Sequence, residues 1–148
     1  MYYYIKTRIG SLRATVDEYL TELYFVDERI PDSPQTESPL CTELRGWIDA
    51  YFAGKNPPMN LPLNPSGTDF QKMVWNALLQ IPYGQTLSYG ALAQELHTSP
   101  RAIGGATGRN KIILLIPCHR VIGATGALVG FGAGLARKEF LLDLEKES

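Results

Sequence analysis

The residues with the clearest chemical potential are Cys118, His119 and Arg120, which follow the apolar run Ile112–Ile116 and Pro117. Proline biases the residue before it toward an extended backbone. A thiol, an imidazole and a guanidinium are therefore presented together where a buried segment ends. A free thiol titrates near about 8.5, and neighbouring cations lower that value. Two readings follow for Cys118: a nucleophile, or the buried inert thiol that a lone cysteine commonly is. Adjacent side chains of an extended segment point to opposite sides, so His119 need not touch the thiol directly, and a water could bridge them. A carboxylate is needed to orient the imidazole and hold its tautomer. Glu95, Glu139, Asp143 and Glu145 are candidates, and spacing does not choose among them.

Charge and composition narrow the setting of that chemistry. The chain has 148 residues and a formal net charge of −1, a size that buries a full core without disulfides or metal. Residues 1–65 hold 6 basic and 9 acidic side chains, whereas residues 66–148 hold 8 basic and 6 acidic. No acidic residue falls between Glu95 and Glu139, while Arg101, Arg109, Lys111, Arg120, Arg137 and Lys138 all do. Such a stretch suits a polyanion or forms a solvated basic face. Cys41, Cys118, His97 and His119 would all have to converge to hold a structural zinc, so no metal or other cofactor is expected. The N-terminal Met1–Lys6 lacks a basic region followed by an apolar core, and the apolar runs are too short to span a bilayer. A cytoplasmic protein without membrane contact is expected.

The elements that must position these residues form an α+β chain in two parts. Tyr2–Arg8, Leu12–Val16 and Leu20–Val26 have strand character, and the acidic, proline-rich Asp27–Pro39 reads as a loop. Leu40, Leu44, Trp47, Ile48 and Tyr51 recur at helical spacing, ending near Gly54. The proline-rich Gly54–Gly67 reads as a linker, giving domains at 1–65 and 66–148. Thr68 and Gln71 fit a capping box ahead of Phe70, Val74, Leu78 and Ile81, and Pro82-Tyr83-Gly84 ends that helix. Ser88 can cap a helix over Tyr89–Leu96. Ser99 can cap another, with Pro100 at its first position. The pair is a helix-turn-helix candidate in a mainly helical C-terminal domain. Its second helix contains Gly104, Gly105 and Gly108, which weaken it but suit close approach of a backbone to a DNA groove or to another helix. Leu135–Glu147 forms a last amphipathic helix.

Phe70–Glu145 resembles the O6-alkylguanine-DNA alkyltransferases, or methylated-DNA–protein-cysteine methyltransferases. The matching pieces are Ile81-Pro82-Tyr83-Gly84, Ser88-Tyr89-Gly90, Arg101–Ala106, Asn110, Ile116–Gly123, Gly130–Leu135 and Lys138–Leu142 with Glu145. The N-terminal half is similar to the family's sheet-plus-helix domain only loosely. The resemblance implies single-turnover transfer of an alkyl group from O6 of guanine in double-stranded DNA to Cys118, by a monomer, with O4 of thymine left open. It implies that His119 takes the thiol proton through water, that Glu145 orients His119, and that Tyr89 assists the departing guanine. Arg101 would fill the gap left by a flipped nucleotide, and Asn110 would brace the helix-turn-helix against the active-site loop. Gly104, Gly105 and Ala106 would let the helix lie in a minor groove, with Ser99 and Gln71 also on the DNA face. Val121, Thr107, Phe131 and Gly132 would line the substrate pocket. Phe131 stands where many relatives have tyrosine, and the cysteines and histidines of zinc-bearing relatives are missing apart from Cys41.

Three other readings compete. Non-enzymatic lesion sensors share the fold but lack the acceptor cysteine, which is present here. A thiol hydrolase would turn over repeatedly and ignore DNA. A helix-turn-helix transcription factor would need base-reading side chains, which the glycine-rich helix does not supply.

Overall fold

The computed structural model describes residues 1–26, 31–34, 38–124, 126 and 133–147. It divides into two compact units, Met1–Ser66 and Gly67–Ser148. In the first, β1 (Tyr2–Thr7), β2 (Gly10–Val16) and β3 (Leu20–Val26) form an antiparallel sheet in that order. Alternation puts Tyr3, Ile5, Leu12, Ala14 and Val16 on the buried face, as the two-residue period of a half-covered sheet requires, and the register shift at Thr15/Val16 lets Leu20 and Leu23 share that face. Helix α1 (Pro39–Phe52) starts at Ser38, whose side chain accepts from the Cys41 N–H, and buries Cys41, Leu44, Ile48 and Tyr51. Trp47, expected in the buried stripe, stays half-exposed and stacks on Tyr51 at 5.4 Å. Buried Arg45 bonds the Tyr3 hydroxyl and the carbonyls of Tyr4 and Ser33. Its charged head is thereby tied to three acceptors instead of being left unpaired. Leu63 pairs with Leu20, so part of the proline-rich stretch runs back along the sheet.

The second unit is built from α2 (Asp69–Leu79), α3 (Tyr89–Glu95), α4 (Pro100–Gly108) and α5 (Leu135–Glu147), with β4 (Leu87–Ser88) and β5 (Val121–Ile122). The Thr68–Gln71 capping box is present at α2. The α3–α4 pair has its Ser88 and Ser99 caps, each accepting from the third N–H beyond. Helices α2 and α3 both pack on α4. Trp75 joins Val74 and Leu78 in the core and donates its indole N–H to the Ala106 carbonyl at 2.9 Å. No helix among the described residues is long and apolar enough to cross a membrane.

Two departures from the expected elements matter for the site. The segment 112–116 is a series of turns, with Leu114 in the left-handed region at φ 71°. Cys118–Arg120 is a single 3-10 turn and not the extension of a strand. In addition, the four residues of β4 and β5 pair in parallel, Leu87 with Val121 and Ser88 with Ile122. This pairing sets the start of α3, and hence Tyr89, beside the turn that bears Cys118. Strands of two residues are too short to show a periodicity, so sequence gave no sign of them.

Removing the Trp75–Ala106 bond tests how firmly α4 is held. Trp75→Phe is expected to lower unfolding free energy by about 1–3 kcal/mol through the lost hydrogen bond and reduced ring volume. Urea denaturation of the folded variant measures it, and an unchanged midpoint would show that the indole N–H contributes nothing net.

Candidate active site

The site begins with a bracketed loop. The Asn110 amide Nδ2 donates to the Ile116 carbonyl at 2.7 Å, and its Oδ1 accepts from the Ile112 N–H at 3.0 Å. One side chain therefore closes both ends of the 112–116 loop. It also sustains the left-handed Leu114, a conformation that costs a β-carbon-bearing residue roughly 1–2 kcal/mol. Cys118 is buried, and burial pushes its thiol up, only partly opposed by the neighbouring Asn110 amide and the charge of Lys138. The expectation that His119 and Arg120 would lower the thiol is corrected here. Desolvation outweighs the cations, and Arg120 is engaged elsewhere.

A 3-10 turn advances about 120° per residue, so Cys118, His119 and Arg120 diverge in three directions. Three nitrogens of this turn, one from His119 and two from Arg120, meet at Glu145 of α5. His119 Nε2 lies 2.6 Å from Glu145 Oε2. Arg120 Nε donates to Oε1 at 2.9 Å and Nη2 to Oε2 at 3.2 Å. The Gly84 N–H adds a fourth bond to Oε1 at 3.0 Å. Gly84 sits at φ 78°, where a side chain would strain the turn. Arg120 also donates to the Ile81 carbonyl at 2.8 Å and lies over the Tyr83 ring. The Ile81–Gly84 turn, which reads in the sequence only as a helix stop, is thus the outer wall of the carboxylate site.

His119 is fully buried, and burial lowers its pKa, opposed by Glu145 and reinforced by Arg120 and Lys138. The neutral ring can bond a carboxylate only by donating, so Nε2 carries the proton and Nδ1 the lone pair. Burial raises the Tyr89 hydroxyl, opposed by the neighbouring Thr107 and reinforced by the Cys118 sulfur. Thr107 donates to the Gly104 carbonyl at 3.0 Å. Val121 is buried, and its carbonyl accepts from Lys138 Nζ at 2.6 Å.

Lys138 is the residue that sequence reasoning missed. It is completely buried, near the Tyr89 ring and the Cys118 sulfur, and burial lowers its pKa. A signal existed. Lys138, Leu141, Leu142 and Glu145 are the buried residues of α5, and they fall at i, i+3, i+4 and i+7, so two charged residues occupy core positions of an amphipathic helix.

The other candidates divide by exposure. Arg101 is exposed at the start of α4. Gly104 and Gly105 are half-exposed on α4, and Ala106 is buried beneath Trp75. Ser99 and Gln71 cap α4 and α2. Phe131 and Gly132 lie outside the described residues. The basic stretch is smaller than its sequence suggests: Arg120 and Lys138 are interior, which leaves Arg101, Arg109, Lys111 and Arg137 to face solvent fully or in part.

A histidine held neutral by burial links stability to pH. Below about 6.5 the unfolded chain takes up a proton that folded His119 refuses, so stability falls with pH down through the lowered folded value. The urea midpoint is expected to drop between about pH 7.5 and about pH 5.5, and less steeply in His119→Gln. An identical slope in the variant would assign the effect to other groups.

The family described as "6-O-methylguanine DNA methyltransferase, DNA binding domain" matches residues 69–147. A methylated-DNA–protein-cysteine methyltransferase of Methanosarcina acetivorans is 43% identical over 153 aligned positions, covering 98% of each chain. The protein of that name from Mycobacterium leprae is 46% identical, over 86% of this chain and 80% of its own. The fold is similar to that of Mycobacterium tuberculosis OGT in complex with DNA, with a TM-score of 0.87 and 40% identity over 99% of this chain and 92% of that one. With a family match over more than half its length and these relatives across nearly all of it, the chain belongs to the methylated-DNA–protein-cysteine methyltransferase family.

Proposed function

We propose that this chain repairs double-stranded DNA by moving an alkyl group from O6 of guanine to Cys118, once per molecule, acting as a monomer in the cytoplasm. The observation that carries the reading is a buried thiol at the end of an Asn110-braced loop, beside a histidine bonded to a buried carboxylate. At rest the thiol is protonated and the imidazole neutral, so attack requires a base. His119, bonded to Glu145, takes the thiol proton through a water and becomes imidazolium against the carboxylate. The sulfur attacks the alkyl carbon, the S–C bond forms, and the C–O bond breaks with its electron pair passing to guanine. Tyr89 supplies hydrogen-bond donation to the departing base. Lys138 places a positive charge near the sulfur as it loses its proton. The product is a thioether with no easily displaced group, so the reaction stops.

A guanine inside a stacked duplex is closed to in-line attack, so the nucleotide must flip out, at a few kcal/mol. The exposed face of α4 suits that task. A β-carbon added at Gly104 or Gly108 would meet open space among the described residues, so these glycines serve no packing need there. They leave the helix thin where a groove would approach it. Arg101 stands at its exposed end as the wedge, and Ser99 and Gln71 flank the same helix starts. Thr107 and Val121 would line the base pocket together with Phe131 and Gly132. Two free cysteines suit a reducing compartment.

Mixing with excess O6-methylguanine DNA is expected to add one methyl group at Cys118, found by peptide mass spectrometry, and then stop. Repeated turnover, or methylation at Cys41, would overturn the assignment. Cys118→Ala should bind DNA and transfer nothing.

The surface of α4 gives a second test. Gly104→Ala is expected to stabilise the fold by roughly 0.5–1 kcal/mol, the helix propensity difference, while weakening transfer from duplex DNA. Arg101→Ala should likewise slow transfer from duplex DNA far more than from free O6-benzylguanine, which needs no flipping. Equal slowing on both substrates would mean that these residues shape the pocket and do not face DNA.

A further inference from the structure

Arg120 lies next to the reactive turn, yet its guanidinium is directed away from the thiol. It grips both oxygens of Glu145, at 2.9 and 3.2 Å, so the carboxylate is shared between it and His119. Its remaining nitrogen is fixed by the Ile81 carbonyl at 2.8 Å, and Tyr83 lies beneath the group. This fixes both its position and its charge. We propose that Arg120 is a positioning residue of the proton relay: by neutralising Glu145 it keeps His119 uncharged at rest and therefore able to accept the thiol proton. The proposal rests on the His119–Glu145 relay of the proposed function and adds a component to it.

The charge balance shows why such a component is needed. A buried histidine bonded to an uncompensated carboxylate is drawn toward imidazolium, because an opposite charge at contact favours the charged form. An imidazolium has no lone pair and cannot be a base. With Arg120 in place, the three groups carry no net charge before transfer and one positive charge during it. Among the described residues the groups facing His119 are Glu145 and Lys138 from α5 and Arg120 from its own turn. Helix α2, which also packs on the turn, contributes the buried Val74, Trp75 and Leu78, none of them titratable. Burial is the main force that lowers His119; Arg120 and Lys138 add to it, and Arg120 is the one in contact with its partner carboxylate.

The test is the pH profile of single-turnover transfer from free O6-benzylguanine, which avoids DNA binding, alongside the His119 imidazole titration by NMR. In Arg120→Met the acid limb and the imidazole titration should both move up by about one pH unit or more, with the rate recovering above the new limb. Arg120→Lys keeps a charge but cannot span both oxygens and the Ile81 carbonyl. It should give a smaller shift in the same direction, and it carries the test if Arg120→Met does not fold. A uniform loss of rate at every pH with no movement of the limb, or a limb that moves down, would overturn the proposal and leave Arg120 a structural brace. Failure of the relay itself would look different. Glu145→Gln would then transfer at the unaltered rate, and the acid limb of the unmodified protein would not coincide with the His119 titration.

Discussion

A carboxylate in the interior of the second unit must find partners for its charge and its lone pairs, because an unpaired buried charge is far more expensive than any contact around it. Glu145 meets that requirement with four hydrogen bonds, from the His119 ring, two nitrogens of Arg120, and the Gly84 backbone. These bonds join three segments that are distant in sequence: the turn after α2, the 3-10 turn of Cys118–Arg120, and α5. Removing Arg120 would leave Glu145 an uncompensated buried charge, and removing His119 or the Gly84 N–H would leave a buried oxygen short of a donor, so every member holds the others in place. The turn that presents the thiol inherits that rigidity on one side, and from the Asn110 bracket on the other.

The same burial that makes the network stiff also makes it quiet. Desolvation raises Cys118, lowers His119 and lowers Lys138, so each group is biased toward its uncharged form. A protonated, buried thiol is a poor target for adventitious oxidants and electrophiles, since the thiolate is the reactive species. A protein that spends itself in a single reaction benefits from a nucleophile that stays protonated until the relay can take its proton.

The surface of α4 follows the opposite logic. Its inner side is fixed by the bond from Trp75, while glycines on the outer side leave room that no described residue fills. Helix propensity is given up where close approach of another molecule would matter. The four basic residues facing solvent are modest in number, consistent with a surface that fits a groove by shape and adds charge at a few points.

Much of this was legible in the chain itself. Alternation in β1–β3, the serine and threonine caps of α2, α3 and α4, and the boundaries of α5 are local features, written in propensity and side chain-to-backbone bonds that act within a few residues. The Pro117–Arg120 motif marked the reactive turn for the same reason. Spacing left four carboxylates open for His119 and the resemblance pointed to Glu145, while tertiary structure alone decided that Arg120 serves Glu145 and not the thiol, that Lys138 lies beneath Tyr89, and that two short strands bring Tyr89 to Cys118. Each of these depends on a pairing across 25 or more positions or on burial. Charge in a sequence carries no record of whether it will meet water or a partner. Desolvation, which sets the state of every group in this site, exists only once the chain has closed around them.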